Sequence, residues 1–235
     1  MNPVIRGPVY AVVPAAGVGE RMKAGIPKQY LTLAGKTLAE HTLGRLLSFS
    51  PIDSVIVSVS SQDPWWPTLP VASHRRVSTV AGGKTRAESV RNGVAQALMD
   101  GGEEAWVLVH DMARPLVRLS DIQVLMEQCD EQGAILALPV VDTIKQSGED
   151  LHIDSTVDRE RIWRALTPQL FPAARLYEAL SADLDGVTDE ASAIERQGGR
   201  PRLVAGQSDN IKITVPEDLP LARFYLARQF ETGEQ

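Results

Sequence analysis

Four short stretches hold residues that could manage phosphate groups. The first is Pro14-Ala15-Ala16-Gly17-Val18-Gly19-Glu20-Arg21-Met22. Small side chains let backbone N–H groups approach an anion closely, and glycine tolerates the backbone such a loop needs. Arg21 follows at once and Lys28 soon after, in Pro27-Lys28-Gln29. Two cations beside an amide-lined loop answer the charge that builds on a triphosphate losing pyrophosphate. The plain alternative is a structural turn with two solvated cations. The second stretch is Gly82-Gly83-Lys84-Thr85-Arg86-Ala87-Glu88-Ser89. Two glycines before a helix offer backbone atoms and N-terminal helix amides to a ligand, or simply make a tight turn. The third is His110-Asp111-Met112-Ala113-Arg114-Pro115. A carboxylate at a strand end could hold Mg²⁺, the rest of its shell being water and phosphate, or it could serve only an Asp–Arg ion pair. The fourth is Asp209-Asn210-Ile211-Lys212, where an Asp for a metal and a Lys for a phosphate flank one residue pair.

Other chemistries lack their residues. Gly17 and Gly19 fit the start of a dinucleotide fingerprint, but position 22 is Met, and no Gly-Lys-Ser/Thr follows the loop. His41, His74, His110 and His152 are scattered, without metal-ligand spacing. There is no Gly-x-Ser-x-Gly elbow for a serine nucleophile. The single cysteine, Cys129, rules out an internal disulfide and reads as a small buried hydrophobe. Trp65-Trp66 in a Pro-rich loop reads as local packing.

These stretches must be presented by a scaffold. Val9–Val13, Val55–Val59, Val77–Val80, Trp106–Val109 and Ile135–Val140 are short apolar runs that read as buried strands, and Arg202–Ala205 as a further short one. Helices are expected from about Thr85 to Met99, from a cap at Ser120 toward Gly133, from Pro172 to Leu184, after Thr188, and after the Thr214–Glu217 capping box. The last should bury a stripe of Leu219, Ala222, Leu226 and Phe230. Alternating strands and helices predict an α/β fold with a mostly parallel sheet, whose ligands sit beyond the strands' carboxyl ends. Val141–Asp158 breaks the rhythm. Ser147-Gly148-Glu149-Asp150 is a turn signal between two polar flanks, so a β-hairpin is expected. A polar two-stranded hairpin is marginal alone and should lean on something, such as a second subunit. One domain, 1–235, with this hairpin insert is expected.

The chain has 235 residues, 43% of them hydrophobic and 23% charged, enough for a core without metal or disulfide. Its net charge of −6 argues against nucleic acid as a partner. No apolar run approaches a membrane span, and the first ten residues hold no signal core, so a cytoplasmic protein is expected.

Taken in order, Pro14-Ala15-Ala16-Gly17 with Arg21, Pro27-Lys28-Gln29-Tyr30, Gly82-Gly83 with Arg86 and Ser89, His110-Asp111-x-Ala113-Arg114-Pro115, Asp142-Thr143-x-Lys145, Thr167-Pro168-Gln169, Thr188-Asp189-Glu190-Ala191-Ser192 and Asp209-Asn210-Ile211-Lys212 form a specific set. This set closely resembles the 2-C-methyl-D-erythritol 4-phosphate cytidylyltransferases. The resemblance implies a Rossmann-like, three-layer nucleotidyltransferase fold with a protruding β-arm that makes a homodimer. It implies the substrates CTP and methylerythritol phosphate, with Mg²⁺. It implies that Arg21, Lys28, Arg159 and Lys212 are catalytic. Pro14, Ala15, Ala16, Gly17, Gly19, Gly82, Gly83 and Ser89 would hold CTP. Asp111, Arg114, Thr143, Thr167 and Thr188 would line the acceptor side, Thr143 and Arg159 reaching a partner's site from the arm. Asp111 and Asp209 are the metal candidates. Two residues depart from the family's pattern: Met112 replaces a small residue, and Lys84 a frequently acidic one. The alternatives are a pentitol-phosphate cytidylyltransferase, disfavoured by the Pro-Ala-Ala-Gly opening, or a nucleotide-binding regulator without turnover.

Overall fold

The computed structural model describes residues 4–17, 25–182 and 184–233. In chain order its elements are β1 (Val9–Pro14), β2 (Thr32–Leu33), β3 (Lys36–Thr37), α1 (Leu38–Ser48), β4 (Ser54–Val59), β5 (Val77–Ala81), α2 (Arg86–Gly101), β6 (Trp106–Val109), α3 (Leu119–Gln128), β7 (Ala134–Pro139), β8 (Ile144–Ser147), β9 (Ile153–Val157), β10 (Trp163–Pro172), α4 (Ala173–Ser181), α5 (Glu190–Arg196), β11 (Arg202–Ala205) and α6 (Asp218–Thr232).

Seven strands form one sheet in the order β11-β7-β10-β6-β1-β4-β5. All pairs are parallel except those of β10, which runs antiparallel between β6 and β7. Strands β1, β4, β6 and β7 are buried on both faces, as a sheet covered by helices requires, whereas β5, expected to be buried, is an edge strand with half-open and exposed residues. Val9, Ala11 and Val13 of β1 face one cluster with Leu43 of α1 and Ile122 of α3. Tyr10 and Val12 face the other, with Val90 and Val94 of α2, Leu176 of α4 and Ile194 of α5. That period of two makes three layers.

Local chemistry starts several helices. Thr37 with Glu40, Thr85 with Glu88, and Asp189 with Ser192 make reciprocal capping boxes for α1, α2 and α5. Other boundaries correct the sequence reading. Ser120 lies inside α3, which starts after Arg118 with no side-chain cap and ends at Gln128. Before α6, Thr214 donates its amide and hydroxyl to Asp218, so the helix begins one residue after Glu217. Phe230 faces solvent, and the buried stripe is completed by Gln229.

The expected hairpin is present: β8 and β9 pair antiparallel as a two-stranded sheet of their own. Val141, Leu151 and Ile153 are exposed on it and beside it. Strand β10 and helix α1 are additions to the sequence reading. Residues Trp163–Pro172 hold Pro168 and Pro172, and proline inside a run argues against a central strand. The register of β10 against β7 shifts between Ala165 and Gln169, and the Thr167–Pro168 peptide there is cis. Past that irregularity Gln169 pairs with Val109, so Thr167 arrives beside the carboxyl end of β6.

Candidate active site

The carboxyl ends of β1, β5 and β6 open on a cavity of about 220 Å³. Pro14–Gly17, Lys28, Gly83, Ser89, Asp111 and Lys212 all line it. Backbone bonds hold its first wall: the Ala15 amide donates to Ser58 O at 2.8 Å, and Gln29 Nε2 donates to Ala15 O at 2.8 Å. Gln29 thereby ties the 3₁₀ turn Lys28–Tyr30 to the loop. Tyr30 fixes the turn from behind, donating to Asp63 at 2.6 Å and stacking on Trp65 at 5.7 Å. Trp65 does local packing, as expected. Lys28 Nζ is thus held at the cleft, 3.2 Å from Ile213 O. On the opposite wall Ser89 works inside the loop: its hydroxyl donates to Thr85 O and accepts from the Gly83 amide at 3.0 Å. Gly82 backs this wall, its amide on Val59 O at 2.7 Å.

A second cavity of about 240 Å³ is lined by Arg114, Thr167, Thr188 and Asp189, and it shares Arg86, Asp111 and Lys212 with the first. That shared wall is a charge network. Lys212 Nζ lies 2.8 Å from Asp111 Oδ2, and Arg86 Nε lies 3.0 Å from Asp111 Oδ1. Arg86 also grips Glu190 with both terminal nitrogens, at 2.6 and 3.1 Å. Burial pushes the Asp111 carboxyl up, but Arg86, Lys212 and Arg114 together hold it well below the usual carboxylate range. It is ionised at any working pH. Burial opposes the charge on Arg86, and Glu190 and Asp111 more than restore it. Lys28, Lys84, Arg86, Arg114 and Lys212 therefore make a cationic cleft in a chain of net charge −6. Such a cleft concentrates small anions.

Asn210 connects the two sides of the second cavity. Its carbonyl accepts from Arg114 Nη1 at 2.7 Å, and its Nδ2 donates to Thr167 O at 2.8 Å. Gln169 carries Thr188 into place by bonding Asp189 and the Ala191 amide at the start of α5. Met112 is 4% exposed and packs in the larger apolar cluster, while its carbonyl accepts from Thr42.

The structure does not bring every predicted residue together. Gly19 and Arg21 lie outside the described residues. Thr143 beside β8 and Arg159 after β9 are exposed and line neither cavity, and Arg159 donates to Val141 O. Asp209 faces away from both. Arg118 binds it through two nitrogens, the nearer at 2.7 Å, and Gln229 donates to it at 2.8 Å. Its place is a structural ion pair under α6. Asp111 is the only carboxylate among the described residues of the first cavity, and both its oxygens are taken by cations. No group of three His, Cys, Asp or Glu capable of holding a metal occurs among the described residues. The side chains thus do not fit a protein-held Mg²⁺ centre. Arg86, Glu190, Gln29 and Asn210 are functional neighbours that the sequence reading left unassigned. An acid opening a helix reads as a partner for the helix dipole, which hid Glu190.

The family description 2-C-methyl-D-erythritol 4-phosphate cytidylyltransferase matches residues 9–228. The chain belongs to this family. A cytidylyltransferase of that name from Haemophilus influenzae is 53% identical over 223 residues, covering 94% of this chain and 97% of the relative. One from Vibrio vulnificus is 53% identical over 224 residues, covering 93% and 94%. Among solved structures, a 4-diphosphocytidyl-2C-methyl-D-erythritol synthase superposes with a TM-score of 0.82 at 40% identity, covering 94% of this chain and 99% of that one. The Francisella tularensis 2-C-methyl-D-erythritol 4-phosphate cytidylyltransferase gives 0.80 at 34% identity, covering 93% and 99%. A cytidylyltransferase must bring two substrates together, and here two cavities meet at one charged wall.

Proposed function

We propose that the protein transfers the cytidylyl group of CTP to 2-C-methyl-D-erythritol 4-phosphate, giving 4-diphosphocytidyl-2-C-methyl-D-erythritol and pyrophosphate, a step of isoprenoid precursor synthesis. The observation that carries this reading is the shared Arg86–Asp111–Lys212 wall between the two cavities. The acceptor's phosphate oxygen attacks the α-phosphorus of CTP in line. A new P–O bond forms as the bond to the β-phosphate oxygen breaks, and pyrophosphate carries the electron pair away. Both reactants are anions, so their approach is opposed until cations neutralise it. Lys28 and Arg21 serve the triphosphate, and Lys212 the phosphates that meet at the wall. The Pro14–Gly19 loop, Gly82, Gly83 and Ser89 shape the nucleotide pocket, while Asp111, Arg114, Thr167 and Thr188 receive the polyol. No nucleophilic side chain is needed. With no side-chain cluster among the described residues to hold it, Mg²⁺ would have to be brought by the nucleotide, where it would offset phosphate charge.

The exposed β8–β9 hairpin supports a homodimer in which Thr143 and Arg159 of each chain complete the other chain's cleft. Mixing inactive Lys28→Ala and Arg159→Ala proteins should then restore partial activity, whereas sites confined to one chain would stay inactive. No described helix is long and apolar enough to cross a membrane, which agrees with a cytoplasmic enzyme. Phosphorus NMR of the product tests the reaction itself. Two coupled phosphorus resonances of a diphosphate diester are expected, and hydrolysis to CMP would refute transfer.

A further inference from the structure

His110 is fully buried between the last residue of β6 and Asp111, and it lines neither cavity. Its ring has two partners. Nε2 lies 3.0 Å from Arg114 O, and Nδ1 lies 3.0 Å from Thr167 Oγ1. A carbonyl oxygen only accepts, so Nε2 carries the hydrogen. A neutral imidazole then presents a bare lone pair at Nδ1, and the Thr167 hydroxyl must donate to it. The same hydroxyl oxygen already accepts from the Asp111 amide at 3.0 Å. Thr167 lines the acceptor cavity. With its hydrogen and one lone pair committed, it has a single lone pair left for a ligand.

We infer that His110 is a positioning residue: it fixes Thr167 as a pure hydrogen-bond acceptor, facing a hydroxyl of the acceptor substrate rather than its phosphate. This rests on the acceptor being a polyol phosphate, as proposed above. A phosphate offers oxygens that need donors, which Arg114 and Lys212 supply in the same cavity. A polyol hydroxyl can donate, and Thr167 is the group oriented to accept. The imidazole also braces the turn that carries the neighbouring ligands. The Arg114 amide donates to Asp111 O at 3.0 Å, and His110 closes that turn by donating to Arg114 O. One buried ring thus sets Asp111, Arg114 and Thr167 relative to one another. Burial disfavours the imidazolium, whose Nδ1–H would release the Thr167 hydrogen.

The test has two arms. Imidazole nitrogen NMR of the wild-type protein at neutral pH should show His110 as the neutral Nε2–H tautomer; the other tautomer or an imidazolium would overturn the inference without reference to activity. In steady-state kinetics, His110→Phe and Thr167→Val should each raise KM for methylerythritol phosphate about tenfold while KM for CTP moves less than about twofold, the size expected for one buried hydrogen bond. Thr167→Ser should restore the wild-type value. The His110→Phe/Thr167→Val double variant should fall clearly short of the sum of the two single effects on that KM, because both remove the same oriented hydroxyl, even though His110→Phe also loses the bond to Arg114 O. Additive effects, or equal rises in both KM values, would mark His110 as merely structural and overturn the inference. If His110→Phe does not fold, the Thr167→Val and Thr167→Ser pair and the tautomer still decide. Wild-type protein inactive with methylerythritol phosphate would refute the acceptor instead, and the tautomer would separate the two failures.

Discussion

Replacing Gly82 with Ala puts a methyl group where the nucleotide pocket has no room. A Cβ built there lies 2.2 Å from the Ala16 Cβ and 3.3 Å from Val59 O. Two carbons in ordinary contact stand about 3.5–4.0 Å apart, so the walls must separate by roughly 1.5 Å. Neither is free to yield. Gly82 is bonded through its amide to Val59 O at 2.7 Å, and Ala15, next to Ala16, is held by Ser58 and Gln29. A displacement of about 1 Å at a reacting centre can cost roughly a hundredfold in rate. Gly82→Ala should therefore lower kcat/KM for CTP by about 10²-fold, with KM for the acceptor nearly unchanged. Gly44→Ala is the control. Gly44 lies within α1 and a Cβ there meets nothing within 4 Å, so activity should persist and stability should rise by about 0.5–1 kcal/mol. Steady-state kinetics and thermal melts read both variants. A Gly82→Ala enzyme with wild-type kcat/KM for CTP would refute the reasoning, because it would mean that this contact does not shape the pocket.

Three further outcomes follow from the same geometry. Lys28→Ala should lower turnover about 10²–10³-fold, as expected for loss of a preorganised charge, and a purified variant with near-normal turnover would remove Lys28 from the mechanism. Asp209→Asn should cost about 3 kcal/mol of stability in urea unfolding, because Arg118 loses a buried counter-charge, yet leave the Mg²⁺ dependence of turnover unchanged. A shifted metal titration would instead restore Asp209 as a ligand. His110, pulled down from 6.5 to about 4 by burial while Asp111, Arg114 and Arg86 pull in opposite directions, is neutral when folded. The unfolded chain takes up the proton first as pH falls, so stability should drop between pH 6.5 and 4, by roughly 3 kcal/mol, and this slope should flatten in His110→Phe.

The central parallel strands were legible because an apolar run buried on both faces has no other simple reading. Strand β10 was hidden by Pro168 and Pro172, and its position depends on pairing with β6 and β7 rather than on its own pattern. Helix α1 carried its own signal in the Thr37–Glu40 box, which passed unread beside the adjacent Ala34–Gly35 turn. In the site, Gly-rich loops and their neighbouring lysines are local features, so Pro14–Gly17, Lys28, Gly83 and Ser89 could be placed from spacing and resemblance. Arg86 and Glu190 are 104 residues apart, and only the fold makes them a pair. Asp209 misled for the complementary reason. It is three residues from Lys212, but the intervening turn sends one side chain to the cleft and the other to Arg118. Cys129 met its expectation: it is buried, and burial with Asp130 pushes its thiol up to about 12, far from a nucleophile's range.

The central claim is transfer from CTP to one particular acceptor. Pyrophosphate release from CTP with Mg²⁺, measured side by side with methylerythritol phosphate and with ribitol 5-phosphate, tests it most directly. The account predicts release with methylerythritol phosphate and little with ribitol 5-phosphate. Release with ribitol 5-phosphate alone would contradict the acceptor while keeping the chemistry, and release with neither from protein that binds CTP would contradict catalysis.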